Sequence, residues 1–236
     1  TSVPKSSSTN ANAIRLYVGT GGSYSLASDN SDNDYATLNP PNAESDKEDG
    51  SPSWNGNGEY PVLTPDELTK ITHYLPLSVG LSIKKNIHPD FALETGIVYT
   101  YLASRIKNNY PHWEADLQLH YIGIPLNLHA QLYHAPKDRW KIYAALGVMA
   151  EKGVLAHYSQ NEYLYQAVEN VTINEKIKGL QWSLNTSLGL DYMLNRNYGI
   201  YFEPRVSYYL DNNQPMSART ENPLVIGISA GVRYSW

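Results

Sequence analysis

The chain has 236 residues, 42% of them hydrophobic, with 18 Lys and Arg against 23 Asp and Glu for a net charge of −5, and no Cys. These figures exclude disulfides and thiolate chemistry and offer no basic field for nucleic acid. No run of 18 apolar residues occurs, so a spanning helix is excluded, but a barrel is not, because strand alternation hides an apolar face in an average. The 20 Tyr and 5 Trp, against 2 Phe, are the amphipathic aromatics that favour membrane–water interfaces.

Residues 1–13 are rich in Ser, Thr and Asn and read as a disordered periplasmic linker. No signal peptide is visible from Thr1, so either an export signal has been removed or the natural chain continues upstream. Residues 14–236 are expected to form one domain. The first strand spans 14–25, with Leu16, Val18 and Thr20 on one face and Arg15, Tyr17, Gly19 and Gly21 on the other, the two-residue period of a β-strand. A long extracellular loop at about 26–74 follows. Over 26–73 it carries ten acidic residues (Asp29, Asp32, Asp34, Glu44, Asp46, Glu48, Asp49, Glu59, Asp66 and Glu67) against Lys47 and Lys70. That is more negative charge than the whole chain's, leaving the remainder mildly positive. Thr64-Pro65-Asp66-Glu67 has the form of a capping box and predicts a short helix over 65–71.

The second strand, 75–84, turns Leu75, Leu77, Val79, Leu81 and Ile83 outward. A short turn leads to the third, 91–103, with Phe91, Leu93, Thr95, Ile97, Tyr99 and Tyr101 outward and Glu94 and Gly96 inward. A polar loop covers 107–114. In the fourth strand, 117–133, alternation slips near Tyr121 and Ile122 and predicts a bulge. It then resumes through Ile124, Leu126, Leu128, Ala130 and Leu132. The fifth strand, 140–151, sets Trp140, Ile142, Ala144, Leu146 and Val148 outward, and a second long loop is expected over 152–179. The sixth, 180–194, presents Trp182, Leu184, Thr186, Leu188, Leu190 and Tyr192. The seventh, 200–210, presents Ile200, Phe202, Pro204, Val206 and Tyr208. After a loop at 211–222 the eighth, 224–236, alternates Leu224, Ile226, Ile228, Ala230, Val232, Tyr234 and Trp236 against Val225, Gly227, Ser229, Gly231, Arg233 and Ser235.

Eight such strands predict an all-β fold: an eight-stranded antiparallel up-and-down transmembrane β-barrel in the outer membrane of a Gram-negative cell. Connections alternate long and short, as in barrels with tight periplasmic turns and longer extracellular loops. A soluble sandwich would dress its solvent face in more than Gly and Ser, which weaken strands. With an even strand number both termini are periplasmic. Phe91, Trp140, Tyr192, Phe202, Tyr234 and Trp236 then fall near the periplasmic rim, and Tyr99, Tyr101, Trp182 and Tyr208 near the outer rim, as two aromatic girdles.

The inward positions carry Arg15, Lys84, Lys141, Arg205 and Arg233 against Glu94, Glu151, Asp191 and Glu203. An eight-stranded interior is just wide enough for side chains to fill, and buried charges there must pair. A locked polar plug is therefore predicted, centred on Glu203, Arg205 and Arg233; a gated small-ion conductance is the alternative. No cofactor or metal site is predicted. The seven His lack ligand spacing, and Asn30, Asp32 and Asp34 begin like a calcium loop but lack its Gly and closing Glu. His157-Tyr158-Ser159 resembles the His-x-Ser of outer-membrane lipid A deacylases, with Glu162 or Glu169 as conceivable orienting acids, but is placed within a loop. No catalytic residue is assigned, and the protein is read as not an enzyme.

Ser229, Gly231, Tyr234 and Trp236 resemble the C-terminal signal by which the barrel-assembly machinery recognises its clients, and imply that machinery as a partner. YIGIPLNL (121–128), ETG (94–96) and EPRVSYY (203–209) resemble PorT-like outer-membrane barrels of Bacteroidota. Within that group WKIYAALGVMAEKGV, LQWSLNTSLGLDY and YFEPRVSYYL resemble the C-terminal barrels of dual-membrane-spanning anti-sigma factors. That resemblance implies an envelope sensor or anchor joined, through residues 1–13, to an inner-membrane helix and a cytoplasmic domain acting on a sigma factor. The other function considered is a stand-alone OmpA-like structural or adhesin barrel, with a small porin or a lipid hydrolase behind it. A monomer in contact with outer-membrane lipids is expected.

Overall fold

The computed structural model describes residues 12–22, 68–108, 113–134, 139–164, 167–175, 177–211 and 217–236. Its strands are β1 (Ala13–Gly22), β2 (Leu68–His73), β3 (Leu77–Asn86), β4 (Phe91–Asn108), β5 (Trp113–His134), β6 (Trp140–Leu164), β7 (Ala167–Glu175), β8 (Gln181–Met193), β9 (Tyr198–Tyr209) and β10 (Leu224–Ser235), with a one-turn helix α1 (Ala218–Glu221) before the last. Eight of them, β1, β3, β4, β5, β6, β8, β9 and β10, pair antiparallel in a closed ring. The first and last strands seal it: Arg15 lies opposite Arg233 on one side and Ser82 on the other.

Polarity in this ring is inverted relative to a soluble protein. Leu146 is 66% exposed and Leu188 58%, while Glu151 is fully buried and Arg15 is 2% exposed. Water would not tolerate that apolar outer wall, and hydrocarbon requires it. Closure leaves the membrane-facing wall no strand edge with unpaired backbone groups, the condition for a sheet to cross a bilayer.

The turns after β3 and β8 lie at the end that holds Asn12 and Trp236, where the Trp236 amide donates to the Asn12 carbonyl at 3.0 Å. Asn195 shapes the β8–β9 turn, its Oδ1 accepting the amides of Asn197 and Tyr198 at 3.0 and 2.7 Å. These short turns mark the periplasmic end.

At the opposite end several expectations are corrected. The predicted helix over 65–71 gives way to β2 from Leu68 onward, paired with β4; Thr69, Ile71 and Thr72 are β-branched and favour the extended form. The capping-box residues 64–67 lie outside the described residues, as do residues 1–11 and the calcium-like Asn30, Asp32 and Asp34. The polar loop expected over 107–114 is shorter than read, because Lys107 and Glu114 are already paired across β4 and β5. The long loop over 152–179 is mostly sheet: β6 runs on to Leu164, and β7 folds back against it.

The predicted bulge exists, but on the neighbouring strand. His120 pairs with Leu155 and Tyr121 with Gly153, so the extra residue, Val154, belongs to β6. On β5 the alternation does not slip at this level: Leu117, Leu119 and Tyr121 are buried with the same parity as Gly123, and the one extra residue of β5 against β6 is Leu132, near its periplasmic end. Those three buried residues read as a break because inward residues at this level are apolar.

Candidate functional site

Described as a stack from the periplasmic end, the lumen has three layers. The first centres on Arg15, not on the Glu203, Arg205 and Arg233 group. Its Nη1 donates to Glu94 Oε2 at 2.6 Å, and its Nη2 donates to Glu203 Oε2 at 3.0 Å and to the Tyr143 hydroxyl at 2.6 Å. The Tyr143 hydroxyl in turn donates to Glu203 Oε2 at 2.7 Å. The guanidinium also lies 3.7 Å from the Tyr201 ring centre, a close cation–π contact. One arginine of β1 thus ties β4, β6 and β9 together across the interior. Ser82 donates to the second oxygen of Glu94 at 3.1 Å, and Arg205 to that of Glu203 at 3.3 Å. His129 sets its ring 5.1 Å from that of Tyr143, with Nε2 3.2 Å from Glu94. Lys84 sits 4.8 Å from the Tyr143 ring centre.

Arg233 instead pairs with Asp191 nearer the periplasmic end, where Lys141 stands opposite Asp191 in the β6–β8 register. The glycines make room for the aromatic filling. Tyr143 lies over Gly189 and Tyr17 over Gly80, each the facing residue on the next strand, and a Cβ at either glycine would strike the phenol.

The second layer belongs to Glu151. Thr100 donates to its Oε1 at 3.1 Å, and Arg219 of α1 donates to Oε2 at 2.7 Å. Arg219 also stands 4.4 Å from the Tyr209 ring centre and 5.9 Å from that of Tyr121. Above it the third layer is apolar: Leu102, Leu117, Leu119, Tyr121, Ala156 and Ile177 form one buried cluster with Tyr158 against it. Ile177 comes from the β7–β8 connection and fills the space over Gly153.

Sequence reasoning missed Arg219 and Ile177, which sit in connections with no periodicity to read. Tyr17 is read inward from the sequence beside Arg15; His129, Tyr143 and Tyr201 could have been found in the same way, since each occupies an inward position of a strand. His157 and Ser159 stand on β6 rather than in a loop; His157 Nδ1 shares a 2.6 Å hydrogen bond with Asn174 Oδ1, and Glu162 and Glu169 are register partners across β6 and β7.

The outward aromatics form two bands. At the periplasmic rim Trp140 meets Tyr192 at 4.5 Å between ring centres, Tyr198 meets Tyr234 at 5.1 Å, and Tyr234 stacks on Trp236. Phe91 and Phe202 are outward at the same end. At the other rim are Trp182, Tyr208, Tyr99 and Tyr101, the last two flanking His120, whose Nδ1 is 2.6 Å from the Tyr99 hydroxyl. From Trp182 to Tyr192, at ~3.3 Å per residue and a tilt of about 40°, the axial span is ~25 Å, the height of an outer-membrane apolar band. On β10, Ser229 points inward and accepts from Arg205 at 3.2 Å, and Gly231 lies against Leu16 and Tyr17 of β1.

A closed eight-stranded ring, polar inside and apolar outside, agrees with the family comparison: the model described as "Outer membrane protein beta-barrel domain" matches residues 7–213. The chain belongs to that family. Members are outer-membrane barrels, and the outer membrane is where this one resides. No curated protein matches the chain. Among solved structures it is similar to OprG from Pseudomonas aeruginosa (13% identity, 96% of this chain and 96% of that one, TM-score 0.46). It is also similar to Neisserial surface protein A (16%, 95% and 97%, 0.42) and to the N-terminal β-barrel domain of Pseudomonas aeruginosa OprF (10%, 96% and 98%, 0.42).

Proposed function

We propose that this barrel is a closed, non-conducting and monomeric outer-membrane anchor, and that it serves as the envelope-sensing end of a trans-envelope anti-sigma regulator. The observation that carries the closed state is the Arg15 cluster, which joins Glu94, Tyr143 and Glu203 from three other strands across the lumen. A channel needs an ion to be bound and released along a wet path; here the path is filled by charge-assisted hydrogen bonds and rings. No catalytic group has a role in this reading.

The regulator reading is supported by the resemblance of three segments to the barrels of dual-membrane-spanning anti-sigma factors. The chain's entry at Asn12, on the short-turn side, suits a tether that crosses the periplasm. Its partners are outer-membrane lipids, the assembly machinery and a sigma factor engaged by an upstream domain. Two measurements test it. In planar bilayers the purified barrel gives no steady conductance. In isolated envelopes the native polypeptide is substantially heavier than the 26.5 kDa of this chain, with a protease-accessible cytoplasmic end. Deleting Trp236 changes sigma-dependent transcription; unchanged output from a strain whose barrel no longer assembles would sink the regulator reading.

A second reading, a stand-alone structural or adhesin barrel, is favoured by the paired extensions of β4–β5 and β6–β7 beyond the outer aromatic band. A native mass close to that of this chain decides for it.

A further inference from the structure

The outward face of the wall does not end alike all round the outer rim. On β9, β10, β1 and β3 the outward residues there are Tyr208, Leu224, Thr20 and Leu77, and no outward cation stands among the described residues of that arc. On the arc of β5 and β6 the same level is basic. Lys152 is the next outward residue of β6 beyond Ala150, the register partner of Trp182, and lies opposite Ile122 of β5. At ~3.3 Å per residue and a tilt of about 40°, it stands ~5 Å above the outer aromatic band, where hydrocarbon gives way to lipid headgroups.

The chain holds this lysine without neutralising it. Exposed Lys152 Nζ donates to the Gly179 carbonyl at 2.9 Å. Gly179 has φ 82°, a left-handed conformation that favours glycine, and the bend brings its carbonyl to β6. A carbonyl orients an ammonium but does not cancel its charge, and Lys152 has no ion pair among the described residues. Arg105, higher on the same face, is by contrast neutralised by Asp116 at 2.8 Å. Two further groups flank the lysine. Exposed Lys178 adjoins Gly179. His120, the outward residue of β5 one step above Ile122, lies 5.3 Å from the Tyr101 ring, and its Nδ1 is bonded to the Tyr99 hydroxyl at 2.6 Å, which leaves Nε2 to a further partner.

We propose that this arc of the outer rim seats the phosphorylated headgroup of an outer-leaflet glycolipid, with Lys152 as the phosphate contact and Lys178 and His120 beside it. Continuity with the apolar wall decides the occupant. Exposed Ile124 and Val148, below the lysine, already face acyl chains, so the group that meets Lys152 belongs to the same lipids. Lysine recognises phosphate as a compact point charge, and basic residues beside a membrane draw anionic headgroups. The bare arc of β9, β10, β1 and β3 offers no such contact, so the seat is one-sided. It rests on the outer-membrane location and on no part of the regulator reading.

The test is lipid binding by the full chain folded in detergent, read by native mass spectrometry, with bisphosphorylated lipid A and the same lipid A stripped of its phosphates as probes. The wild-type barrel holds the phosphorylated lipid about fivefold more tightly, the scale of one lysine at an anionic membrane surface. Lys152→Gln loses most of that preference, while Lys85→Gln, which removes an exposed lysine near the periplasmic rim, keeps it. No preference in the wild type, an undiminished preference in Lys152→Gln, or an equal loss in Lys85→Gln overturns the proposal. A second measurement needs no variant. In the wild-type barrel the phosphorylated lipid slows acetylation of Lys152 on the order of threefold by occupying it, and leaves Lys85 unchanged. Acetylation of Lys152 at its lipid-free rate overturns the seat.

Discussion

Tyr143 on β6 lies across Gly189 on β8, and the missing side chain at Gly189 gives the phenol its place in the lumen. From there its hydroxyl touches both Arg15 and Glu203. A backbone position on one strand therefore controls a hydrogen-bond network whose other members sit on three more.

Gly189→Ala should for this reason act as a network mutation. Its Cβ would fall within the Tyr143 ring, and overpacking of this kind costs about 1–3 kcal/mol. The expected signature is a lowered urea midpoint together with a change in Tyr143 that Gly189→Ala/Tyr143→Ala no longer shows. If the two single losses simply add, the steric link is refuted.

Arg15→Met leaves Glu94 buried without its arginine and Glu203 with Arg205 alone. Removing one partner of a buried ion pair costs about 3–5 kcal/mol, whereas replacing the whole set by neutral groups is often nearly neutral. Arg15→Met should thus be the more damaging variant, and Arg15→Met/Glu94→Gln/Glu203→Gln should regain most of the lost stability in equilibrium unfolding. A triple variant no better than the single one would show that the arginine acts through its packing against Tyr201 and not through its charge.

The barrel itself was legible because alternation is a backbone property. All eight wall strands could be read from residue parity, from Leu16 and Val18 on β1 to Ile228 and Val232 on β10, and their faces agree with the burial. The parity of Arg15, Glu94, Glu151, Asp191 and Glu203 gave an inward direction, but parity says nothing about which inward groups meet across the ring. That depends on stagger and side-chain length, so Arg15 rather than Arg233 took the centre. Extramembrane sheet was harder still. On β6 the bulge at Val154 changes the inward parity, from Glu151 and Gly153 to Ala156. The polar residues beyond it, with no hydrocarbon outside, read as a loop.

Leu119 tests the apolar outer layer. It is 1% exposed and surrounded by Leu102, Leu117 and Ile177, a soluble-type core standing at the extracellular end of a membrane protein. Leu119→Ala should cost about 2–5 kcal/mol, the range for large-to-small changes in a packed core. The loss should appear as faster proteolysis of the β6–β7 hairpin, with insertion into lipid retained. Protection of that hairpin unchanged by the substitution would mean that the cluster is not what holds it.

The bilayer's position along the wall can be tested with one charge at two depths. Leu146 stands midway between the aromatic bands on β6 and Leu180 just beyond Trp182; both point outward and are exposed. A lysine in hydrocarbon costs about 2–4 kcal/mol at the midplane of a barrel wall and about 0–1 kcal/mol near the interface. Leu146→Lys should therefore destabilise the folded, lipid-inserted barrel far more than Leu180→Lys. The same two variants compared in a thick, uncharged detergent micelle should differ less, because the environment there adapts to the side chain. Equal penalties at both sites in lipid would displace the apolar band from the level set by Trp182 and Tyr192, and with it the assignment of which lumen layers lie within the membrane and which stand above it.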